Sequence, residues 1–213
     1  MIGGTGPEGL GLALRFAAAG QEIIIGSRTR ERADEAAAAI RAAVPSARVS
    51  GCENAEALGR SDRIVLTIPY GGLDAFLRSS AGGLAGKLVV DVVVPLALRA
   101  GVFELVPVPG AGSVGELMQS RVPSARVVSA FKNLSAERLR DLGSRLEGDV
   151  VVCGQDPAAR AEVAGLVALL PGLRPVDAGG IANARYVEAI TALLLNLNRR
   201  HRARTSIAIL GLD

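Results

Sequence analysis

The sequence predicts an α/β fold in which a doubly wound, mostly parallel sheet carries helices on both faces, and two observations support this prediction. First, the residues GGTGPEGLG at 3–11 place Gly4, Gly6 and Gly9 at the G-x-G-x-x-G spacing, which is typical of the turn from a strand into a dinucleotide-binding helix. Second, short β-branched runs alternate with segments of helix length as far as residue 178. The predicted fold is therefore a Rossmann-type sheet with a small helix-strand appendage at the carboxyl end.

Each glycine of this turn has its own predicted role. Gly4 permits the tight turn out of the first strand, Gly6 lets backbone N–H groups approach a pyrophosphate, and Gly9 allows the helix to pack closely. The spacing alone also fits an ordinary structural turn in a glycine-rich chain, so its interpretation depends on the residues that follow. We expect the cofactor to contact Gly4, Thr5, Gly6, Pro7 and Glu8.

The second strand ends in a basic segment that predicts NADP rather than NAD. Residues 22–26 form a β-branched run, and the segment SRTRER follows at 27–32. A carboxylate at this point would repel a 2′-phosphate, whereas guanidinium groups bind it through charge-assisted hydrogen bonds. Ser27 and Arg28 are the stronger candidates for this contact, since Arg30 and Arg32 equally fit the solvated first turn of the next helix.

Helical spacing, strand-length apolar runs and breakers predict the remaining elements. The first strand is short, because only Met1 and Ile2 precede the glycines, which indicates either a late start of the sequence or a truncated strand. Strand 63–68 is apolar without alternation, as expected of a strand buried on both faces. In order, we predict helix 29–43 ended by Pro45, strand 48–50, helix 54–58, strand 63–68, helix 73–79, strand 87–94 closed by Pro95, an irregular segment 99–109, helix 113–121, strand 126–131, strand 149–153, helix 157–170 and strand 174–177.

Composition changes at the segment AGG at 178–180 and suggests two units, an NADP-binding domain at 1–178 and a C-terminal unit at 179–213. The C-terminal unit is predicted to hold one long helix at 183–200 and a final strand at 205–210. Apolar residues cover a wide arc of the helix, which is typical of a helix buried against other structure, here another subunit. We therefore expect this unit to serve a homodimer or the substrate.

Bulk composition argues against several classes of protein. The net charge is +3 with only two lysines, the arginines are dispersed and aromatic residues make up 3% of the chain, so no nucleic-acid partner is expected. No apolar run approaches 18 residues, and the N-terminal segment lacks signal-peptide features. We expect no membrane partner and a cytoplasmic location. Cys52, Cys153 and His201 match no metal-ligand spacing, so no metal site is expected.

The residues that follow predicted strands are candidates for ligand contact, because open α/β sheets bind ligands beyond the carboxyl ends of their strands. Ile68 ends strand 63–68, and Pro69 and Tyr70 follow it. All three are predicted to lie beside the nicotinamide, although for Tyr70 a plain turn is an equal alternative. Lys132 follows strand 126–131, and Ser135 is the predicted N-cap of the next helix.

A set of segments beyond the glycine turn is more specific than the glycine spacing: IGSR at 25–28, LTIP at 66–69, VSAF at 128–131, VCG at 152–154, RPVDAG at 174–179 and VEAIT at 187–191. Together they resemble the NADPH-dependent reductases of the deazaflavin coenzyme F420, over nearly the whole chain. The resemblance implies a small dimeric oxidoreductase that passes a hydride between NADP(H) and the deazaflavin, which are its small-molecule partners.

The resemblance also implies roles for individual residues. Leu134 and the segment after Val94 would face the deazaflavin. Lys132 stands where the family commonly has histidine, and we predict it as the catalytic residue that stabilises negative charge on the reduced deazaflavin, with a plain surface lysine as the alternative. The remaining positions surround the 2′-phosphate and ribose (Thr5, Ser27, Arg28, Arg32) or the nicotinamide (Ile68, Pro69).

Two other functions stay open from the sequence. One is an NADPH-dependent reductase of another acceptor, such as a flavin, a metal chelate or an imine. The other is a redox sensor that binds NADP(H) without turnover. Direct hydride transfer between two rings needs positioning and exclusion of water rather than a nucleophile or metal, which agrees with a chain that holds one histidine and two cysteines.

Overall fold

A computed structural model describes residues 1–212, and one sheet with helices on both faces organises them. The helices are α1 (Pro7–Ala18), α2 (Arg30–Ala43), α3 (Asn54–Gly59), α4 (Leu73–Leu84), α5 (Val114–Arg121), α6 (Ala136–Arg140), α7 (Pro157–Ala168) and α8 (Ala184–His201). The strands are β1 (Ile23–Ser27), β2 (Val49–Glu53), β3 (Arg63–Leu66), β4 (Leu88–Asp91), β5 (Leu96–Arg99), β6 (Val102–Leu105), β7 (Arg126–Ser129), β8 (Gly148–Gly154) and β9 (Leu173–Asp177). Asp213, the last residue of the predicted C-terminal unit, lies outside the described residues.

The predicted α/β fold is confirmed by the strand order. β1 pairs with β2 in parallel, and β3, β4 and β7 form a second parallel set in that order. Ile2 joins the two sets, since it forms one bridge with Gly26 of β1 and another with Leu66 of β3. β8 is antiparallel to β7, and β9 runs parallel to β8. The sheet is therefore mostly parallel, and the short first strand is reduced to a single central residue.

Apolar side chains on both faces of the sheet form the core. One cluster lies between the sheet and α1, α2 and α7, and the other between the sheet and α3, α4, α5 and α8. The central strands β4 and β7 are buried on both faces, which explains why consecutive apolar residues, 88–90 and 127–128, occupy them without alternation. Among residues 1–212, no helix is both long enough and apolar enough to cross a membrane.

α1 packs unusually closely on α6. A Cβ on Gly11 would lie 2.6 Å from the Cβ of Leu139, so only glycine permits this approach. The Arg15 guanidinium then donates hydrogen bonds to the carbonyl oxygens of Leu139 at 3.0 Å and Arg138 at 2.7 Å, and to two more in the segment after α6. This attachment fixes the segment between β7 and α6, which lines the site described below.

Two expected elements are wrong. Segment 99–109 is not wholly irregular, because β5 and β6 form an antiparallel hairpin whose turn, Ala100 and Gly101, has φ values of 45° and 83°. Positive φ at both turn residues matches the twist of a hairpin. Segment 205–210 is not a strand. It makes a backbone hydrogen bond with β8, from Asp149 N–H to the carbonyl oxygen of Ile207 at 2.8 Å, but the Ile209 N–H donates to the Asp149 side chain, so the ladder does not continue.

Other boundaries differ because local packing extends or shortens elements. α4 continues to Leu84, because the Leu84 side chain is buried and the absence of a side chain at Gly83 leaves room for the side chain of Leu58. β2 continues to Glu53, and Gly51 makes this possible because a Cβ there would overlap the backbone of Ala33 in α2. The strands predicted at 63–68, 87–94 and 126–131 end at residues 66, 91 and 129, so that the residues beyond them turn toward a cavity.

Candidate functional site

A cavity of ≈ 1340 Å³ lies beyond the carboxyl ends of β1, β3, β4 and β7. This is where open α/β sheets bind ligands, because the crevice opens at the point where the strand order reverses. The glycine turn and the segment after β1 form one end of the cavity. α8, the segment after β7 and residues 203–205 form the other end.

The glycine turn forms part of the cavity wall, with one change from the predicted roles. Gly3, not Gly4, takes the left-handed conformation of the tight turn, with φ of 76°. Gly4 lies outside the cavity lining, and a Cβ there would be 3.0 Å from Met1 Cγ. A Cβ on Gly9 would overlap Thr67 Oγ1, as predicted for close helix packing. On Gly6 the nearest atom would be 3.5 Å away, so this residue leaves room for a ligand.

The basic segment after β1 separates into residues that face the cavity and one that does not. Ser27, Arg28 and Arg32 line the cavity. Arg30 instead pairs with Glu56, with 3.2 Å between its Nη1 and the carboxylate oxygen Oε2. Within residues 1–212, Arg28 and Arg32 form no ion pair, which leaves two free guanidinium groups for an anionic ligand. Contact of Arg28 and Arg32 with a 2′-phosphate stays a prediction, and the solvated-helix alternative describes Arg30, which is exposed and paired with Glu56.

Ile68, Pro69 and Tyr70 also line the cavity, as predicted from their position after β3. The Tyr70 hydroxyl donates a hydrogen bond of 3.4 Å to the carbonyl oxygen of Pro107. Burial raises the pKa of Tyr70, and the neighbouring carboxylates Glu188 and Asp74 raise the pKa further. Tyr70 therefore stays a neutral hydroxyl that connects this wall to the segment after β6.

Lys132 is not a surface lysine, because its side chain is fully buried, although the residue forms part of the cavity lining. Its Nζ lies 2.7 Å from Asp91 Oδ2 and 3.2 Å from Glu188 Oε1, and it also donates to the carbonyl oxygen of Val93. Ser129 donates to Asp91 at 2.6 Å, and Val114 N–H donates to Glu188 at 3.0 Å. We name Asp91, Lys132 and Glu188 the buried charge cluster; it connects β4, the end of β7 and α8.

The buried charge cluster holds a constrained turn in place. Phe131 is fully buried with φ of 60°, a conformation that costs energy for a bulky side chain. Thr191 of α8 donates to the carbonyl oxygen of Lys132 at 3.0 Å. The turn leads into Leu134, which lines the cavity, and Ser135 caps α6 by accepting a hydrogen bond from Arg138 N–H. Burial raises the pKa of Glu188, and the Lys132 ammonium opposes that shift.

Three buried polar atoms in residues 1–212 have no hydrogen-bond partner, and all three belong to residues that line this cavity: Glu8 Oε1, Asn54 Oδ1 and Asn133 Oδ1. Buried polar atoms are nearly always paired in native proteins. Unpaired atoms gathered at one cavity therefore indicate a ligand with polar groups. Together with the free Arg28 and Arg32, they fit a phosphorylated dinucleotide.

Asn54, Asn133 and residues 203–205 line the cavity but were not among the predicted site residues. Asn54 follows the carboxyl end of β2, so the strand-end rule that selected Ile68 would also have selected it. Residues 203–205 carry no such signal, because they reach the cavity only through the path of the chain after α8. Within residues 1–212, no group of three histidine, cysteine or acidic side chains is arranged to hold a metal ion.

Comparison with known proteins identifies the family. The model of the family "NADP oxidoreductase coenzyme F420-dependent" matches residues 1–95. The F420-dependent NADP reductase of Methanocaldococcus jannaschii is 37% identical over 100% of this chain and 98% of its own length, and that of Methanothermobacter thermautotrophicus is 37% identical over 97% and 91%. A crystal structure from Arthrobacter sp. FB24, provisionally described as an F420-dependent NADP reductase, covers 98% of this chain and 96% of its own, with 28% identity and a TM-score of 0.80. The chain belongs to the family of F420-dependent NADP reductases.

Proposed function

We propose that this protein transfers a hydride between NADP(H) and the deazaflavin coenzyme F420. The observation that carries the proposal is a single cavity with two different ends. One end offers Ser27, Arg28 and Arg32, and the other is lined by apolar side chains that include Leu134 and Leu194. Its volume of ≈ 1340 Å³ exceeds the roughly 300–1,000 Å³ that is usual for one small ligand. The cavity therefore has room for two ring systems in one enclosure.

The residues of the chain have positioning roles in this proposal. Arg28, Arg32 and Ser27 would hold the 2′-phosphate, and the backbone N–H groups of Glu8 and Gly9 in the first turn of α1 would hold the pyrophosphate. Ile68, Pro69 and Leu134 would exclude water from the rings. When bound, the two coenzymes supply the redox chemistry, and the protein supplies binding, orientation and electrostatics.

Lys132 stays a predicted catalytic residue whose charge would act on a bound ring from a buried position in the cavity lining. Its ammonium is directed to Asp91 and Glu188, so its effect on a bound ring would be electrostatic and would depend on both partners. The variants described in the Discussion separate this role from a structural one.

The activity is tested by mixing the protein with NADPH and oxidised deazaflavin and following the loss of the visible absorbance of the deazaflavin. We expect rapid reduction of the deazaflavin and at least about tenfold slower reduction of free flavin at equal concentration. Equal or faster turnover with flavin, a ferric chelate or a cyclic imine would instead assign another acceptor. Tight NADPH binding with no turnover of any acceptor would assign a redox sensor.

We also propose that the protein is a homodimer and that the C-terminal unit, 179–213, serves it. Exposed apolar side chains lie on the β5–β6 hairpin (Leu98, Val102) and on α8 (Tyr186, Leu193). The two elements are attached, because the Asn196 side chain exchanges two hydrogen bonds of 2.8 Å with the backbone of Phe103. A second copy would cover this apolar surface.

The homodimer is tested by analytical ultracentrifugation. Sedimentation should give twice the mass of one chain, and a monomer at micromolar concentration would contradict the proposal. A cytoplasmic location stays a prediction.

A further inference from the structure

Glu8 places a carboxyl group in the wall of the cavity without a partner for one of its oxygens. It is the second residue of α1, directly after Pro7. Its Oε1 is buried, but the residue as a whole is partly exposed and lines the cavity, so its carboxyl group can meet a ligand there. No donor among residues 1–212 reaches this atom. Burying an ionised carboxylate without a partner is costly, so such a group retains its proton instead.

The charged groups around Glu8 do not offset this burial. α2 and the segment before it contribute the exposed Arg28 and Arg32 to the cavity, and α6 contributes Glu137, which is paired with Arg204 of the segment after α8. The Lys132 ammonium is held by Asp91 and Glu188. Tyr70 is neutral, and Arg138 and Arg140 of α6 lie outside the cavity lining.

We propose that Glu8 binds the nucleotide as a neutral carboxylic acid, whose O–H donates a hydrogen bond to a phosphate oxygen of NADP(H). The proposal rests on the NADP(H) part of the proposed function and does not depend on the acceptor. Its position supports it, since the start of α1 after the glycine turn is where a dinucleotide phosphate is bound. Burial raises the pKa of Glu8 to about 8, so the carboxyl is neutral at pH 7.

Nucleotide affinity should therefore depend on pH in a defined direction. Phosphate beside Glu8 disfavours the ionised carboxylate, so binding raises the pKa of Glu8 above its value in the free protein. Above pH 8 the free protein has lost the proton that the complex retains. The Kd for NADPH should then increase by up to about tenfold per pH unit, and binding should take up close to one proton. The 2′-phosphate ionises near pH 6, so it does not contribute in this range.

The test is a titration of the full chain with NADPH between pH 6.5 and 9.5. Wild type should bind with constant Kd up to about pH 8 and progressively more weakly above it. Glu8→Gln, which keeps a donor of similar shape but cannot ionise, should bind within about threefold of wild type at pH 7 and show no weakening at pH 9. Glu8→Leu should bind about fivefold more weakly than Glu8→Gln at every pH, because the donor is lost and neither side chain ionises.

Glu137→Gln is the matched control, because it removes the other glutamate of the cavity and should keep the wild-type pH profile. Identical pH profiles for wild type and Glu8→Gln would overturn the proposal. Should Glu8→Gln fail to fold, calorimetry of wild type at pH 9 in buffers of different ionisation enthalpy measures the proton uptake directly, and zero uptake would overturn it. Both measurements use NADPH as the only ligand. A failure of this proposal can therefore be distinguished from a failure of the deazaflavin assay.

Discussion

The double variant Arg28→Ala, Arg32→Ala should lose about 100-fold in affinity for NADPH and bind NADH as well as wild type does. Both guanidinium groups line the cavity, and neither is engaged in an ion pair within residues 1–212. A hydrogen bond to a charged group contributes about 1.5 kcal/mol at the lower end of its range, which is appropriate for exposed side chains. Two such contacts give about 3 kcal/mol, or about 100-fold.

Arg30→Ala is the matched control for this variant. Arg30 stands on the same turn, but its guanidinium binds Glu56 and Asp34. Its removal should change the affinity for NADPH by less than about twofold, because a surface ion pair contributes little. The Kd of each variant for NADPH and NADH is measured by calorimetry. Equal losses from Arg30→Ala and from the double variant would contradict a specific phosphate contact.

Replacing Lys132 by methionine should destabilise the protein by about 3–5 kcal/mol, because Asp91 and Glu188 then remain buried without a cation. For a chain of this size, that loss lowers the Tm by roughly 10 °C. The loss of unfolding free energy relative to wild type should be smaller at pH 5 than at pH 8. Burial already raises the pKa of Glu188 and the Lys132 ammonium opposes that shift, so without the ammonium the folded-state pKa of Glu188 rises further above its unfolded value and stability falls as pH rises. Thermal unfolding at both pH values measures this.

A triple variant separates stability from catalysis. Lys132→Met combined with Asp91→Asn and Glu188→Gln removes all three charges, so most of the lost stability should return. If Lys132 stabilises negative charge on the reduced deazaflavin, the triple variant folds but turns over at least about tenfold more slowly with saturating substrates. An unchanged rate in the triple variant would show that the predicted catalytic role is wrong and that the cluster serves only to position α8 and the turn at Phe131.

Local rules predicted the parts of this protein that depend on sequence spacing. The glycine turn, the basic segment after β1 and the residues after β3 follow from one rule, that parallel strands present their carboxyl ends to a common crevice. The β5–β6 hairpin was missed because its signal is confined to two turn residues, Ala100 and Gly101, within a stretch rich in valine and proline. The final strand was wrongly predicted because the side chain of Asp149 takes the place of a strand partner.

The site could be predicted only in part, because its deeper features depend on residues distant in sequence. The burial of Lys132 requires Asp91 from one strand and Glu188 from a helix that follows much later. No local pattern shows that these three side chains meet. The same holds for Glu8, whose unpaired oxygen is a property of the cavity wall and not of the glycine motif that contains it.

The transfer of deuterium tests the central claim, hydride transfer within one cavity, most directly. The protein is mixed in ordinary water with oxidised deazaflavin and with NADPH that carries deuterium at both hydride positions of the nicotinamide ring. The mass of the reduced deazaflavin is then measured by mass spectrometry. We expect one deuterium at a carbon of the reduced deazaflavin that does not exchange with water, with NADP⁺ formed in equal amount. Reduced deazaflavin without deuterium, or no reduced deazaflavin at all, would contradict direct transfer between two rings held in this cavity.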